Sequence, residues 1–163
     1  MGGGRSYSFS TRAASADDLG FCSKSKEEIF RQKRVHEKMN PFGVKIRECR
    51  DSEAHPESLA IIIGLDETGS MDYIPADLIK DGFPSIMKSI YDSGIKHPQV
   101  MFVGVGDHKS DNGPLQVGQF EVSDDLLDFW LTHVWLEGNG AGYHDIRGFL
   151  HQMDSFFHEL SFV

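Results

Sequence analysis

The stretch Leu59-Ala-Ile-Ile-Ile-Gly-Leu-Asp-Glu-Thr-Gly-Ser70 decides the reading of this chain. Its first seven residues are a continuous apolar run rich in β-branched side chains, the pattern of a strand buried on both faces. The run stops at Asp66, and Asp66-Glu67-Thr68-Gly69-Ser70-Met71 reads as a polar loop. Apolar residues then recur at helical spacing, at Ile74, Leu78, Ile79, Phe83, Ile86, Ile90 and Tyr91. Gly82 and Pro84 should break or kink that helix, and Gly94 should cap its end. A second apolar run, Val100-Met-Phe-Val-Gly-Val105, ends in Gly106-Asp107. Strand, helix, strand at this spacing is a βαβ unit whose two strands should pair in parallel.

Outward from this unit the signals weaken. Asp111-Asn-Gly-Pro114 is turn chemistry, and Leu115 to Val122 should return as a strand antiparallel to the one before it. Ser123 is placed to cap a helix carrying Leu126, Leu127, Trp130, Leu131, Val134 and Trp135, which Gly138-Asn-Gly-Ala-Gly142 should stop. Ile146, Phe149, Leu150, Met153 and Phe157 have the spacing of a last helix, and Leu160 to Val163 could open a further strand. On the amino-terminal side, residues 1–25 are rich in Gly, Ser and basic residues and lack apolar periodicity. Ser25 followed by Glu28 fits a capping box for a short helix over Lys26 to His36, and Met39 to Pro56 reads as an extended surface connector. The expected organisation is an arm and connector over residues 1–58 and a three-layer α/β domain over 59–163.

Composition narrows the function. The chain has 163 residues, with 16 Lys and Arg against 25 Asp and Glu for a net charge of −9. That balance opposes general nucleic-acid binding, which draws its strength from cations that displace counterions around phosphates. No apolar run reaches the roughly 20 residues that span a bilayer, and Met1 to Ser10 lacks a signal-peptide core. Cys22 and Cys49 are too few for a disulfide framework. The expectation is a cytoplasmic protein with no membrane contact.

In open α/β sheets ligands gather beyond the carboxyl ends of the parallel strands. Both apolar runs end there in an aspartate, Asp66 and Asp107. Asp66, Thr68 and Ser70 supply a carboxylate and two hydroxyls within five residues, hard oxygen donors suited to Mg²⁺ or another divalent cation. A purely structural role competes, since Asp and Ser also cap helices and Gly serves turns. Eight histidines show no metal-ligand spacing, and His151 and His158 suit a solvated helix face.

Asp66-x-Thr68-x-Ser70 after an apolar strand resembles the first motif of a metal-ion-dependent adhesion site in von Willebrand factor type A (vWA) domains. The resemblance runs from about Leu59 to the carboxyl terminus. Gly106-Asp107, Gln116 to Glu121 and the Gly-rich stretch from Glu137 to Gly142 resemble vWA-like proteins of phages and prophages. It implies a doubly wound, mostly parallel, Rossmann-like sheet and a divalent cation bound by Asp66 and Ser70, with Thr68 in the middle hydroxyl position. It also implies a non-enzymatic protein-binding or assembly role, in which an acidic side chain of a protein partner completes the metal site. Two departures stand out. The family's second motif, a Thr after a glycine-rich turn, is replaced by Tyr143-His144-Asp145, and the chain stops near the strand that would carry the third. Asp145 could stand in for the Thr, and Asp107 could serve the same rim. A degenerate, purely structural vWA-like fold is one alternative.

The other alternative is enzymatic. Asp66-Glu-Thr-Gly-Ser70 and Gly106-Asp-x-x-x-Asp111 also resemble motifs of haloacid-dehalogenase-like phosphohydrolases. Asp66 would then be a nucleophile, with Asp107 and Asp111 holding Mg²⁺. The separation of the two aspartates leaves room for one helix only, where that fold places several βα units and a catalytic Lys.

Overall fold

The computed structural model of the chain describes residues 20–42, 44, 46–67, 74–107, 110–137 and 154. Its frame is a three-stranded sheet in the order β1-β2-β3. Strand β1 (Leu59–Asp66) and strand β2 (Pro98–Val105) are the two apolar runs. They pair in parallel, in register from Leu59 with Pro98 to Asp66 with Val105, as a βαβ unit requires. Strand β3 (Leu115–Val117) returns antiparallel to β2, with Val103 opposite Val117 and Gly104 opposite Gln116.

Strand alternation sorts the core into two faces. Val100, Phe102 and Gly104 share one face with their partners Ile61, Ile63 and Leu65. Against that face pack Phe83 and Met87 of helix α3 (Phe83–Asp92) and Leu127, Trp130 and Leu131 of helix α4 (Asp124–Thr132). The Phe83 and Phe102 rings meet edge to face at 5.2 Å. Met101 and Val103 point the other way and join Val117 and Phe120 in a second cluster, flanked by Val44 and Cys49 of the connector. The connector is tied down by polar bonds: Arg47 Nε donates to Gly118 O at 2.5 Å, and the Gln99 amide exchanges bonds with Arg50 N and O.

Both described long helices therefore lie on one face, and an extended segment covers part of the other. The architecture is mixed α/β with a small mixed sheet. Residues 20–42 join it: Phe21, Ile29, Phe30 and Met39 belong to the same core as the strands.

Several element boundaries differ from the sequence expectation for local reasons. The capping box forms, with Glu28 N bonded to Ser25 Oγ and Ser25 N to Glu28 Oε2, but helix α1 covers only Lys26–Ile29. Phe30 leaves the helical region at φ −96°, ψ 87°, with its N–H still on Lys26 O, and closes the helix after one turn. Helix α2 (Ile74–Asp77) runs through a π-helical turn, Leu78–Gly82, into α3. Pro84 has no N–H to give back to the preceding turn, and the widened turn absorbs that loss without breaking the rod. Gly94 ends the segment as expected, at φ 92° with its N–H on Tyr91 O. Strand β3 ends at Val117, after which Gly118 N donates to Phe102 O at 2.9 Å and Glu121 forms an isolated antiparallel bridge with Val100. Helix α4 ends at Thr132 rather than near Trp135, since the Trp135 backbone is drawn into bonds with the Gln116 side chain.

The double-sided burial expected for β1 is found on β2 instead. Leu59 and Ile62 are 46% and 38% exposed, and among the described residues β1 is the edge of the sheet. No helix among the described residues is long and apolar enough to cross a membrane. The helix expected over Ile146 to Phe157 and the strand expected at Leu160 to Val163 lie outside the described residues, residue 154 excepted.

Candidate functional site

The parallel pairing of β1 and β2 brings both strand ends to one rim. Asp66 closes β1 opposite Val105, and Asp107 follows two residues beyond that partner. Both side chains are half-buried. Thr68 and Ser70 lie outside the described residues, as does the Gly-rich turn with Asp145. Of the expected set, the structure therefore places Asp66 and Asp107 at a common edge.

The rim also contains an acid that the motif reading passed over. Alternation along β1 continues past its end, so Glu67 points to the same face as Ile61, Ile63 and Leu65, into the core. Its N–H is held by Val105 O at 2.9 Å, and the residue is 1% exposed. The carboxyl lies over Gly104, where a Cβ would overlap Glu67 Oε1 and approach Val134 Cγ1 to 3.1 Å. Gln116 lies alongside, but its amide is committed at both ends: Nε2 donates to Trp135 O and Oε1 accepts from Trp135 N, each at 2.9 Å. Both Glu67 oxygens are left without a hydrogen bond.

Burial therefore pushes the Glu67 carboxyl well above the usual range. The neighbouring Gln116 amide opposes this, while the charges of Glu137, Asp111 and Asp66 add to it. Removing a charged carboxylate from water without a partner is costly enough that the group keeps its proton instead. The signal was available in the sequence as the period of β1 carried one residue further.

The remaining acids of the rim are occupied in fixing its loops. Asp111 Oδ2 accepts from Asp107 N at 2.6 Å, and Ser110 Oγ donates to Asp107 Oδ2 at 3.0 Å. Gly106 is needed here, since a Cβ on it would overlap the Asp111 carboxylate. Glu137 reaches back from beyond α4 to clamp the hairpin turn: Oε1 accepts from Gly113 N at 2.6 Å, and Oε2 from Asn112 N and Nδ2 at 3.1 and 3.0 Å.

The rim offers hard oxygen donors and accumulated negative charge, the chemistry of Mg²⁺ or Ca²⁺ rather than of a soft metal. Among the described residues no group of three His, Cys, Asp or Glu is positioned to hold a metal ion. The expected set draws two of its oxygens from the hydroxyls of Thr68 and Ser70, which lie outside the described residues. No known protein family, curated protein or solved structure matches the chain.

Proposed function

We propose that the chain is a non-enzymatic binding or assembly module of the vWA type. A divalent cation, Mg²⁺ first, sits at the strand-end rim. Asp66, Thr68 and Ser70 hold it, with Asp107 beside them, and an acidic side chain of a protein partner fills the open position. The observation that carries this reading is the emergence of Asp66 and Asp107 from the ends of adjacent parallel strands. The sequence of strand, helix, parallel strand and antiparallel hairpin supports it as well. A bound divalent ion is often the largest charge in such a site and attracts a partner carboxylate strongly.

The phosphohydrolase alternative would use Asp66 as nucleophile, with Asp107 and Asp111 on the metal. Calorimetric Mg²⁺ titration of the wild type, Asp66→Ala and Ser70→Ala tests the proposal. Binding heat in the wild type that disappears in both variants is the expected result. No heat in the wild type overturns the cation site, and phosphate-ester turnover abolished by Asp66→Asn would favour the enzyme.

A further inference from the structure

The free side of β1 has unusual properties for an exposed edge. Such edges present rows of unpaired N–H and C=O groups, and proteins ordinarily blunt them with charge, proline or a bulge. Between Leu59 and Leu65 the strand has none of these. Leu59 N donates to His97 O and Glu67 N to Val105 O, which fixes the phase of the ladder. In a parallel pair the inward-facing groups belong to alternate residues, so those of Ala60, Ile62 and Gly64 point away from β2. All three residues are exposed, and no strand among the described residues pairs with them.

From this edge we infer a second copy of the same chain as its partner, paired β1 to β1 in antiparallel fashion. A two-fold axis normal to the sheet keeps side chains on their own faces only if it passes through a residue position. Centred on Ile62, it sets Ile62 against the second copy's Ile62 and Ala60 against the second copy's Gly64. These are the residues whose backbone groups point outward, so three pairs form with two hydrogen bonds each. The intervening contacts are apolar, Leu59 against the second copy's Leu65 and Ile61 against its Ile63. Charge selects the same arrangement. Asp66 is the strand's only charged residue, and it faces the second copy's Ser58, whereas an in-register parallel pairing would set Asp66 on Asp66. In a chain of net charge −9, this neutral, self-complementary seam is where two copies can meet without repulsion. The product is a continuous six-stranded sheet, β3-β2-β1-β1-β2-β3, of ordinary width.

Sedimentation of the full chain over a hundredfold concentration range tests the pairing. The wild type should rise from 18.3 kDa towards twice that mass. Ile62→Lys, which sets two ammonium groups against each other, should hold it at 18.3 kDa. Gly64→Pro removes an outward N–H while leaving the β2 ladder intact, and a Cβ at that position meets nothing within 4 Å. It should also give a monomer, with wild-type circular dichroism. In the wild type, amide exchange at Ala60, Ile62 and Gly64 should slow as concentration rises, a readout that stands even if a variant misfolds. A wild type that stays monomeric throughout, association that survives both variants, or exchange at these amides that ignores concentration would each overturn the inference.

Discussion

Replacing Glu67 by Gln should remove a pH dependence of stability without disturbing the fold. The carboxyl is buried, unbonded and pushed upward by burial and by the charges of Glu137, Asp111 and Asp66. In the unfolded chain it ionises near 4.5. Between that pH and its raised folded value, the native state carries one more proton than the unfolded state. The free energy of unfolding therefore falls by up to about 1.4 kcal/mol for each pH unit across that window. The amide of Gln has nearly the same shape and is neutral at every pH, so the variant lacks this slope. Urea unfolding of both proteins in steps from about pH 5 to about pH 7 gives two curves whose difference isolates the residue, because every other titrating group is common to both. The variant should gain on the wild type steadily as pH rises. Parallel curves would mean that Glu67 ionises as it does in water, and the account of a protonated acid under the rim would be wrong.

Three further outcomes follow from the packing. Glu137→Ala removes three acceptor contacts to Asn112 and Gly113, and should cost about 1–3 kcal/mol while speeding amide exchange at those two residues. Gly118→Ala places a Cβ 2.9 Å from Phe102 O on the central strand, a backbone atom that cannot swing aside, and should cost about 1–3 kcal/mol in thermal unfolding. His36 sits 4.8 Å from the His133 ring, and burial first, then the His133 charge, lowers its pKa below 6.5. Its neutral form is the one the fold favours, so its stabilisation is complete above 6.5 and is lost as pH falls through the folded value. Proton resonance titration should put the His36 midpoint below 6.5, and His133→Ala should move it upward.

How much of this was legible in the sequence depends on the range of the interactions involved. The apolar runs at Leu59 and Val100 located β1 and β2 because a buried strand is defined by its own residues. The parallel pairing followed from the single helix between them. The Ser25–Glu28 capping box and the Gly94 cap were likewise local. What failed was whatever depended on neighbours. An apolar run cannot say whether another strand lies beside it, and among the described residues β1 is an edge while β2 is enclosed. The early end of α4 depends on the bonds between Trp135 and Gln116, a pair distant along the chain. At the rim, motif spacing singled out Asp66 and Asp107 but overlooked Glu67, Gln116 and Glu137, whose importance comes from what is stacked on them.

The π-helical turn at Leu78–Gly82 has a consequence for how this segment tolerates length changes. It holds one residue more than a regular turn would, so the stretch behaves as a helix carrying an insertion whose strain is spread over five positions. Removing a single residue there would restore uniform winding at nearly the same phase, because the widened turn advances about as far with five residues as a regular one does with four. Phe83 and Met87 would go on facing the sheet. The surplus residue thus acts as a length buffer, and a gap of one should be tolerated in this short stretch where elsewhere in the rod it would turn the buried face away.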